Sequence, residues 1–310
     1  MNSTATAIAN KTRVDPITAA VIHGALETIA MEMGHKLMRM SYSSIIRESE
    51  DFGAALTDVQ GRQLCECSMS TPLQSGPIPG YVRGILAAMA KRGEVIRPGD
   101  VIMHNDPYGG ASHGPDVAFC VPVFAGGVLI GFSVTTAHHL DIGALTPGSC
   151  GIVDAVDTYA EGLQFKAIKV VSQGERNEAV WSILRDNIRA SDLVVGDMEA
   201  QIKAAEIGAA RYLELVDTYG IETVNGACED LMDYSERLMR EAINALPDGD
   251  YTATTYLDGY LDDPDPARRD LPIVVTLKVR GDNLVVVFPL ESWSVVTHCI
   301  ILAGTCPMTG

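Results

Sequence analysis

A long apolar hairpin in the middle of the chain constrains the fold more than any other feature of the sequence. Residues 117–139 (VAFCVPVFAGGVLIGFSVTTAHH) are typical of two long strands joined at Gly126-Gly127, where paired glycines favour a tight β-turn. Because antiparallel strands of similar length return the chain to its starting point, the polar segments on either side of the hairpin should meet at one end of a sheet. The sequence therefore predicts that a sheet forms the core and that polar loops lie at the ends of its strands.

Helical and strand patterns flank this hairpin on both sides. A long opening helix is predicted from Pro16 to about residue 47, with Asp15 as its N-cap. Further elements are predicted as a small hairpin turning at Asp58–Gly61, helices over about 81–91, 176–190, 192–219 and 221–245, and strands over 251–259, 271–279 and 283–288. The predicted class is α+β, with mixed sheets, a long N-terminal helix, a central helical segment and a C-terminal β-meander.

Charge and cysteine content exclude several classes of function. In 310 residues, 40 acidic side chains against 23 basic ones give a formal charge of −17, which opposes binding to nucleic acids and to anionic membranes. No apolar run approaches the roughly 20 residues of a membrane span, and residues 1–13 lack the apolar stretch of a signal peptide and are predicted to be disordered. Seven scattered cysteines favour reduced thiols in a cytoplasmic protein, with Cys65 and Cys67 interpreted as buried or edge thiols rather than as a metal pair.

The polar segments at the two ends of the hairpin hold residues that are typical of a metal site. His113 and Asp116 lie on a loop rich in glycine and proline, and His138, His139 and Asp141 follow the second strand. Imidazole nitrogen and carboxylate oxygen are ligands for zinc, manganese and iron, and three protein ligands leave room for water or substrate. The alternative is that these side chains only cap turns and pack under the sheet. The surrounding glycines and prolines favour the metal site, because such loops present side chains at sites.

Two further carboxylates and several absent motifs bear on the chemistry. Asp51, just before the first strand, is another candidate ligand, although an acidic residue there is more often solvated. Glu161 is either a base near the site or, the interpretation that the sequence favours, a surface acid. The sequence has no G-x-x-x-x-G-K-[ST] loop, no G-x-G-x-x-G after a strand and no G-x-S-x-G. If ATP is consumed, another chain is therefore expected to bind it.

Several stretches around these residues carry a family resemblance. They are DPITAAVIHGALETIAMEMGHKLMRMSYSSIIRESEDFGAALTDVQGRQL, GDVIMHNDPYGGASHGPDVAFCVPVF, GFSVTTAHHLDIGALTPGS, YAEGLQFKAIKV and LRDNIRASDLVVGDMEAQIKAAEIGAARYLELVDTYG. In these segments and in their order, over roughly residues 14–288, the chain resembles the hydantoinase B/oxoprolinase family. The resemblance makes residues 14–288 the N-terminal part of a domain of that type.

The resemblance implies one half of a two-component enzyme. Family members pair with an ATPase-like A-type subunit that phosphorylates the substrate. The B-type part holds a divalent metal and completes the hydrolysis of a cyclic amide or, in ketone carboxylases, the formation of a carbon–carbon bond. The family's metal ligands fall on His113, Asp116 and His138, with Asp51 as a fourth in some relatives. Three further residues are then expected to orient the ligands or carry protons, namely His139, Asp141 and His104.

The resemblance also sets the expected function and its alternatives. The leading expectation is the metal-bearing B-type component of an ATP-dependent hydantoinase or 5-oxoprolinase. The alternative is a component of an acetone- or acetophenone-type ketone carboxylase, which Gln74-Ser-Gly76 leaves open because many hydantoinase-type members carry His-x-Gly there. Residues 289–310 (PLESWSVVTHCIILAGTCPMTG) depart from the family pattern, which suggests a frameshift or truncation. A non-catalytic truncated remnant is the alternative from another class.

Overall fold

The structure is a computed structural model that describes residues 13–146, 148, 157–258, 264 and 269–289. The expectations for residues 1–12, for most of the loop over 146–151 and for residues 290–310 lie outside these described residues. Arg13, the last residue of the segment predicted to be disordered, is described, and its guanidinium pairs with Asp230 at 3.0 Å. Its main-chain N–H also donates to that carboxylate, and the disorder of residues 1–13 stays a prediction.

The described ranges contain seven helices, of which the last four follow predicted helices and a short one over residues 72–75 was not predicted. They are α1 (Pro16–Met40), α2 (Ser44–Arg47), α3 (Pro72–Ser75), α4 (Ile78–Arg92), α5 (Glu178–Asn187), α6 (Ser191–Tyr219) and α7 (Ile221–Asn244). Asp15 caps α1 as predicted, because its carboxylate accepts hydrogen bonds from the N–H groups of Ile17 and Thr18.

The opening helix is shorter than predicted, since it ends at Met40 instead of near residue 47. The N–H groups of Tyr42 and Ser43 donate to Asp197 Oδ1, at 2.6 and 3.2 Å. Asp197 lies on α6, far away in the sequence. This long-range contact fixes an extended link between α1 and α2, and helical periodicity alone cannot reveal it.

A seven-stranded sheet forms the centre of the fold. Its strands are β1 (Phe52–Thr57), β2 (Gln63–Glu66), β3 (Val101–His104), β4 (Asp116–Ala125), β5 (Val128–His138), β6 (Ile168–Ser172) and β7 (Glu175–Arg176), in the order β2-β1-β5-β4-β3-β6-β7. The predicted central hairpin is β4 and β5, joined at Gly126 and Gly127, and both glycines have positive φ. The predicted small hairpin is β1 and β2, with its turn between Thr57 and Gln63.

A three-stranded sheet forms the C-terminal part of the described chain. It consists of β8 (Gly249–Asp258), β9 (Asp270–Arg280) and β10 (Asn283–Val287), in the order β10-β9-β8, which is the predicted β-meander. The α+β class is confirmed. In both sheets the recorded strand pairs are antiparallel, so the strand directions are not mixed.

Helices cover both faces of the central sheet. Neighbouring residues of β5 show this directly, because Thr135 donates a hydrogen bond to Gln201 O on α6, whereas Thr136 donates to Gln74 O on α3. Helices α1 and α6 bury their apolar residues on the first face, and α4 does so on the second. The end of β5 therefore reaches both layers, with His138 on the side of α3 and α4.

The described cysteines are free thiols, as the sequence predicts. Cys67, Cys120 and Cys228 are buried free thiols and Cys65 is half-buried, which confirms the interpretation of Cys65 and Cys67 as buried or edge thiols. Among the described residues, no helix combines the length and the apolar character that crossing a bilayer requires.

Candidate metal centre

The register of the central hairpin brings the candidate ligands together. Asp116 is the first residue of β4 and is paired directly with His138, the last residue of β5. His113 lies on the loop that leads into β4, and its main-chain O accepts a hydrogen bond from Asp116 N–H at 3.2 Å. The expected proximity of His113 and His138 across the hairpin is therefore confirmed.

Three donor atoms converge at this end of the sheet. Asp116 Oδ1 lies 2.8 Å from His113 Nε2 and 2.9 Å from His138 Nδ1, and the two nitrogens are 3.1 Å apart. The imidazole rings stack with their centroids 5.0 Å apart and their planes at 28°. Among the described residues, His113, Asp116 and His138 are the group whose ligating atoms are close enough to hold one metal ion.

Asp116 is oriented by hydroxyl groups on its other side. Ser112 Oγ donates to Asp116 Oδ2 at 2.5 Å, and Tyr81 O–H donates to the main-chain O of Asp116 at 2.9 Å. Tyr81 also accepts a hydrogen bond from Ser112 N–H at 3.2 Å. All three residues are buried. One carboxylate oxygen is thus committed to a hydroxyl, which leaves Oδ1 for the two histidines.

Glu161 supports the loop that carries His113. Its Oε2 accepts a hydrogen bond from Gly114 N–H at 2.8 Å, and its Oε1 lies 3.8 Å from His113 Nδ1. Glu161 is only 7% exposed, so its interpretation as a surface acid is wrong. A carboxylate beside the outer nitrogen of a ligating histidine favours a proton on that nitrogen and leaves the other nitrogen free to ligate.

The charges in this cluster are fixed by burial and by the contacts just described. Burial alone lowers the pKa of His113, but Asp116 and Glu161 outweigh it and raise that pKa to about 10. Burial disfavours the charged form of Asp116, yet contact with His113 and His138 holds the pKa of its carboxyl well below the usual range. These contacts favour the charged form of the Asp116 carboxylate and the charged form of the His113 ring beside it.

The donor set fits a divalent cation. Metal–ligand bonds of about 2.1 Å place adjacent donors about 3.0 Å apart in an octahedral site and about 3.4 Å apart in a tetrahedral one. The observed separations of 2.8, 2.9 and 3.1 Å lie close to the octahedral spacing. Both nitrogens can turn a lone pair toward one cation together with Asp116 Oδ1, if the proton of each ring lies on its other nitrogen.

Asp51 lies beside this group without joining it. Its main-chain O accepts a hydrogen bond from His138 N–H at 3.2 Å, and its Oδ1 accepts one from Thr71 Oγ1 at 3.3 Å. Its carboxylate is not among the atoms that converge with His113, Asp116 and His138. The ligand role of Asp51 stays a prediction.

His104 has structural contacts on both ring nitrogens. Its Nδ1 accepts a hydrogen bond from Ala167 N–H at 3.1 Å, so Nε2 carries the proton and donates to Gly109 O at 3.0 Å. Burial lowers the pKa of His104, which favours the neutral ring. These contacts join two loops to β3, and a proton-carrying role for His104 stays a prediction.

His139 lies on the opposite face of the sheet, against α6. Its Nε2 is 2.8 Å from Gln201 Oε1, and Nδ1 has no hydrogen-bond partner in the described part of the chain. Burial lowers the pKa of His139 to about 4, although nearby Asp197 acts in the opposite direction. His139 N–H also donates to Pro115 O at 3.0 Å. His139 therefore braces the loop before Asp116, and its predicted role in orienting ligands is untested.

Asp141 anchors the segment after β5. Its carboxylate accepts hydrogen bonds from Gly143 N–H at 2.7 Å and from the guanidinium of Arg189 at 3.1 Å. Asp141 is 2% exposed. The structure thus gives Asp141 a stabilising contact, and its predicted role as an orienting or proton-carrying group remains a prediction.

Two residues of the site, Ser112 and Tyr81, were not predicted from the sequence. Ser112 directly precedes His113 in ASHGPD, so its position beside the site could have been inferred, but its contact with Asp116 could not. Tyr81 lies on α4, 35 positions from Asp116, and no local signal marks it. Only the packing of α4 on the sheet brings its hydroxyl to the site.

Comparisons with known proteins agree on one family. The sequence profile of the hydantoinase B/oxoprolinase family matches residues 15–292. A protein from Pseudomonas sp. (strain NS671), named as the B-type component of a D-/L-hydantoinase, is 69% identical over 274 residues, which are 88% of this chain and 46% of that protein.

Solved structures share the fold. A crystal structure of the ATP-dependent caprolactamase from Pseudomonas jessenii matches with a TM-score of 0.80 and 34% identity, over 89% of this chain and 46% of that one. Acetone carboxylase in its nucleotide-free form matches with a TM-score of 0.80 over 93% of this chain and 41% of that one, but at 18% identity the likeness is one of fold alone. The chain spans slightly less than half the length of the hydantoinase and caprolactamase relatives.

Proposed function

This chain belongs to the hydantoinase B/oxoprolinase family, and from that premise we propose that it is the metal-bearing B-type component of an ATP-dependent cyclic amidohydrolase. The proposed substrates are cyclic amides of the hydantoin, 5-oxoproline or lactam kind. The observation that carries the proposal is the convergence of His113 Nε2, Asp116 Oδ1 and His138 Nδ1 at the end of the central hairpin. Such a mixed nitrogen and oxygen set accepts zinc, manganese or iron.

The residues of this chain prepare the site in the proposed reaction. His113, Asp116 and His138 would hold a divalent cation, which would supply Lewis-acid polarisation of a carbonyl group. Ser112 keeps one carboxylate oxygen of Asp116 occupied, so the other faces the histidines. Glu161 holds the His113 loop and favours a proton on the outer nitrogen of that ring. Asp51 is proposed as a fourth ligand because its main-chain O accepts a hydrogen bond from His138 N–H, which places it beside a candidate ligand.

The proposal assigns ATP to a second chain. The related caprolactamase is described as ATP-dependent, whereas these 310 residues contain no G-x-x-x-x-G-K-[ST] loop and no G-x-G-x-x-G after a predicted strand. An A-type partner that activates the cyclic amide would then deliver it to the metal-bearing component. We place this complex in the cytoplasm, because the free thiols of the described residues suit a reducing compartment.

A component of a ketone carboxylase is the second candidate function. His113, Asp116 and His138 would hold the same cation, which would supply Lewis-acid polarisation of a ketone carbonyl in such an enzyme. The sequence resemblance keeps this alternative open, because it implies that many hydantoinase-type members carry His-x-Gly where this chain has Gln74-Ser-Gly76.

The experiment combines metal analysis with turnover. The chain is co-expressed with an A-type partner, its metal content is measured, and ATP-dependent turnover of hydantoins, 5-oxoproline, lactams and small ketones with bicarbonate is followed. Turnover of a cyclic amide that disappears in His113→Ala and persists in His35→Ala supports the main proposal, since His35 is an exposed residue of α1. Turnover of ketones alone would favour the carboxylase, and no turnover of either class would count against both.

A further inference from the structure

A buried tyrosine hydroxyl on α4 contacts both ends of the loop that carries His113. Tyr81 is fully buried, and its hydroxyl oxygen lies 3.2 Å from Ser112 N, 2.9 Å from Ser112 Oγ and 2.9 Å from the main-chain O of Asp116. Ser112 and Asp116 stand on either side of His113 in the sequence. One hydroxyl group therefore contacts both ends of the segment that supplies two of the three candidate ligands.

The available protons fix the direction of these hydrogen bonds. A ligating carboxylate can only accept, so Ser112 Oγ gives its single proton to Asp116 Oδ2, at 2.5 Å. Ser112 Oγ then has no proton for Tyr81 and must accept the hydrogen bond between them. The proton of Tyr81 is thus shared between Ser112 Oγ and the main-chain O of Asp116. A chain of donors runs from Tyr81 through Ser112 to Asp116, and linked hydrogen bonds strengthen one another.

Close packing fixes the position of Tyr81 relative to the loop. The neighbouring Gly80 approaches the loop so closely that a Cβ on Gly80 would lie 2.7 Å from Gly110 O. The ring of Tyr81 also packs edge to face against His104, with centroids 6.0 Å apart and planes at 88°. Because α4 lies directly against the loop, the hydroxyl of Tyr81 is held by rigid elements, as support for a binding site requires.

We propose that Tyr81 is a positioning residue that holds Asp116 and the His113 loop in metal-binding geometry before the cation binds, an inference that rests on the proposed function. Through Ser112, Tyr81 keeps Asp116 Oδ2 occupied, so that the carboxylate presents Oδ1 beside the two histidines. Through Ser112 N–H and Asp116 O, it fixes the ends of the loop. Residues that orient metal ligands in this way contribute about 10–100-fold to metal affinity.

The chain offers a matched control for the loss of a buried hydroxyl. Tyr212 on α6 is also fully buried, but its hydroxyl has no hydrogen-bond partner among the described residues. Tyr81→Phe and Tyr212→Phe each remove one oxygen atom and keep the ring. A general effect of losing such an atom should appear in both variants, whereas an effect on the metal centre should appear in Tyr81→Phe alone.

The test uses the full chain stripped of metal. Titration with Mn²⁺ gives the affinity, and the visible absorption of bound Co²⁺ reports the geometry of the ligands. Urea unfolding of the metal-free protein gives the stability separately. The variants are Tyr81→Phe, Tyr212→Phe, Ser112→Ala and the double variant Tyr81→Phe/Ser112→Ala. A purely structural role for Tyr81 would lower stability but leave the Mn²⁺ affinity and the Co²⁺ spectrum of the folded protein unchanged.

Tyr81→Phe is expected to weaken Mn²⁺ binding by about tenfold and to change the Co²⁺ spectrum, whereas Tyr212→Phe should match the wild type in both. The double variant should lose less affinity than the product of the two single losses, because Tyr81 acts partly through Ser112. Wild-type affinity and spectrum in folded Tyr81→Phe, an equal loss in Tyr212→Phe, or single losses that simply multiply would each overturn the inference and leave the proposed function standing. If the wild type binds neither Mn²⁺ nor Co²⁺, both the inference and the proposed function fall.

Discussion

Asp116 and His138 face each other across β4 and β5, and this register brings His138 Nδ1 to 2.9 Å from Asp116 Oδ1. A shift of one residue in the hairpin would turn one of these side chains to the other face of the sheet. Two of the three candidate ligands are therefore positioned by strand pairing, and the third, His113, is positioned by a loop that Glu161 holds through Gly114 N–H. Such rigid support is what a metal site requires.

Removing either histidine should remove the metal. We expect His113→Ala and His138→Ala to weaken binding of the divalent cation at least about hundredfold, since losing residues that only orient ligands already costs up to about that much. Metal content after dialysis, measured by mass spectrometry, checks this, with His35→Ala as the control for losing an exposed histidine. Near-stoichiometric metal in both site variants would contradict the assignment of His113 and His138 as metal ligands.

Ser112 should act on the metal through Asp116. We expect Ser112→Ala to lower metal affinity by about 10–100-fold, because the carboxylate loses the hydroxyl that fixes Oδ2. Titration of the metal-free protein with the cation measures the change, and Ser235→Ala, at an exposed position of α7, is the control. An affinity equal to that of the wild type would show that Asp116 needs no such support.

Much of the fold could be predicted because its signals are local. The apolar hairpin with Gly126-Gly127 and the helical periodicity of 192–219 depend on neighbouring residues, and both appear as predicted in β4, β5 and α6. The early end of α1 was missed because its cause, the contact of Asp197 with Tyr42 N–H and Ser43 N–H, spans about half of the chain.

The candidate site also has one feature that could be predicted from the sequence and one that could not. The ligand cluster could be predicted, since the two strands have similar lengths and must bring His113 and His138 to one end. Burial of Glu161 could not, because it depends on how the loop around Gly114 folds onto a distant segment. The local sequence around such a residue predicts an exposed side chain, and only the tertiary structure shows that the side chain is buried.

Asp141 should matter for stability more than for metal binding. Asp141→Ala removes a buried partner of Arg189, and we expect a loss of about 2 kcal/mol of unfolding free energy, less than for a fully buried pair because the Arg189 side chain is 49% exposed. Urea unfolding measures this, with Asp217→Ala on the exposed side of α6 as the control. Loss of metal at unchanged stability would instead favour the predicted orienting role of Asp141.

Cys228 should be protected from alkylation over a wide range of pH. Burial raises the pKa of this thiol to about 12, and the residue is 5% exposed. Because the folded-state pKa lies above the unfolded value of about 8.5, the stabilisation from burying the neutral thiol is complete below about pH 8.5. It is lost as the pH rises toward 12. Iodoacetamide at about pH 9, just above that unfolded value, should therefore label Cys228 in urea and not in the native protein. Peptide mass mapping measures the labelling. Rapid labelling of Cys228 in the native protein would contradict its buried position.

The last prediction concerns assembly, and it depends on where ATP is bound. The chain carries a candidate metal centre in its 310 residues but none of the phosphate-binding motifs sought in its sequence, whereas its caprolactamase relative is described as ATP-dependent. If activation and ring opening are divided in this way, an activated amide must pass from one component to the other. Because such an intermediate would hydrolyse in bulk water, transfer across a stable interface is expected to be favoured over release.

The charge of −17 does not oppose an interface with an A-type chain, since a specific interface depends on a buried apolar patch and local complementarity. We therefore expect the B-type component to show no cyclic amidohydrolase activity alone, and to gain ATP-dependent activity when it co-elutes with an A-type chain in size-exclusion chromatography. Turnover by the isolated B-type component without ATP would refute this division of labour.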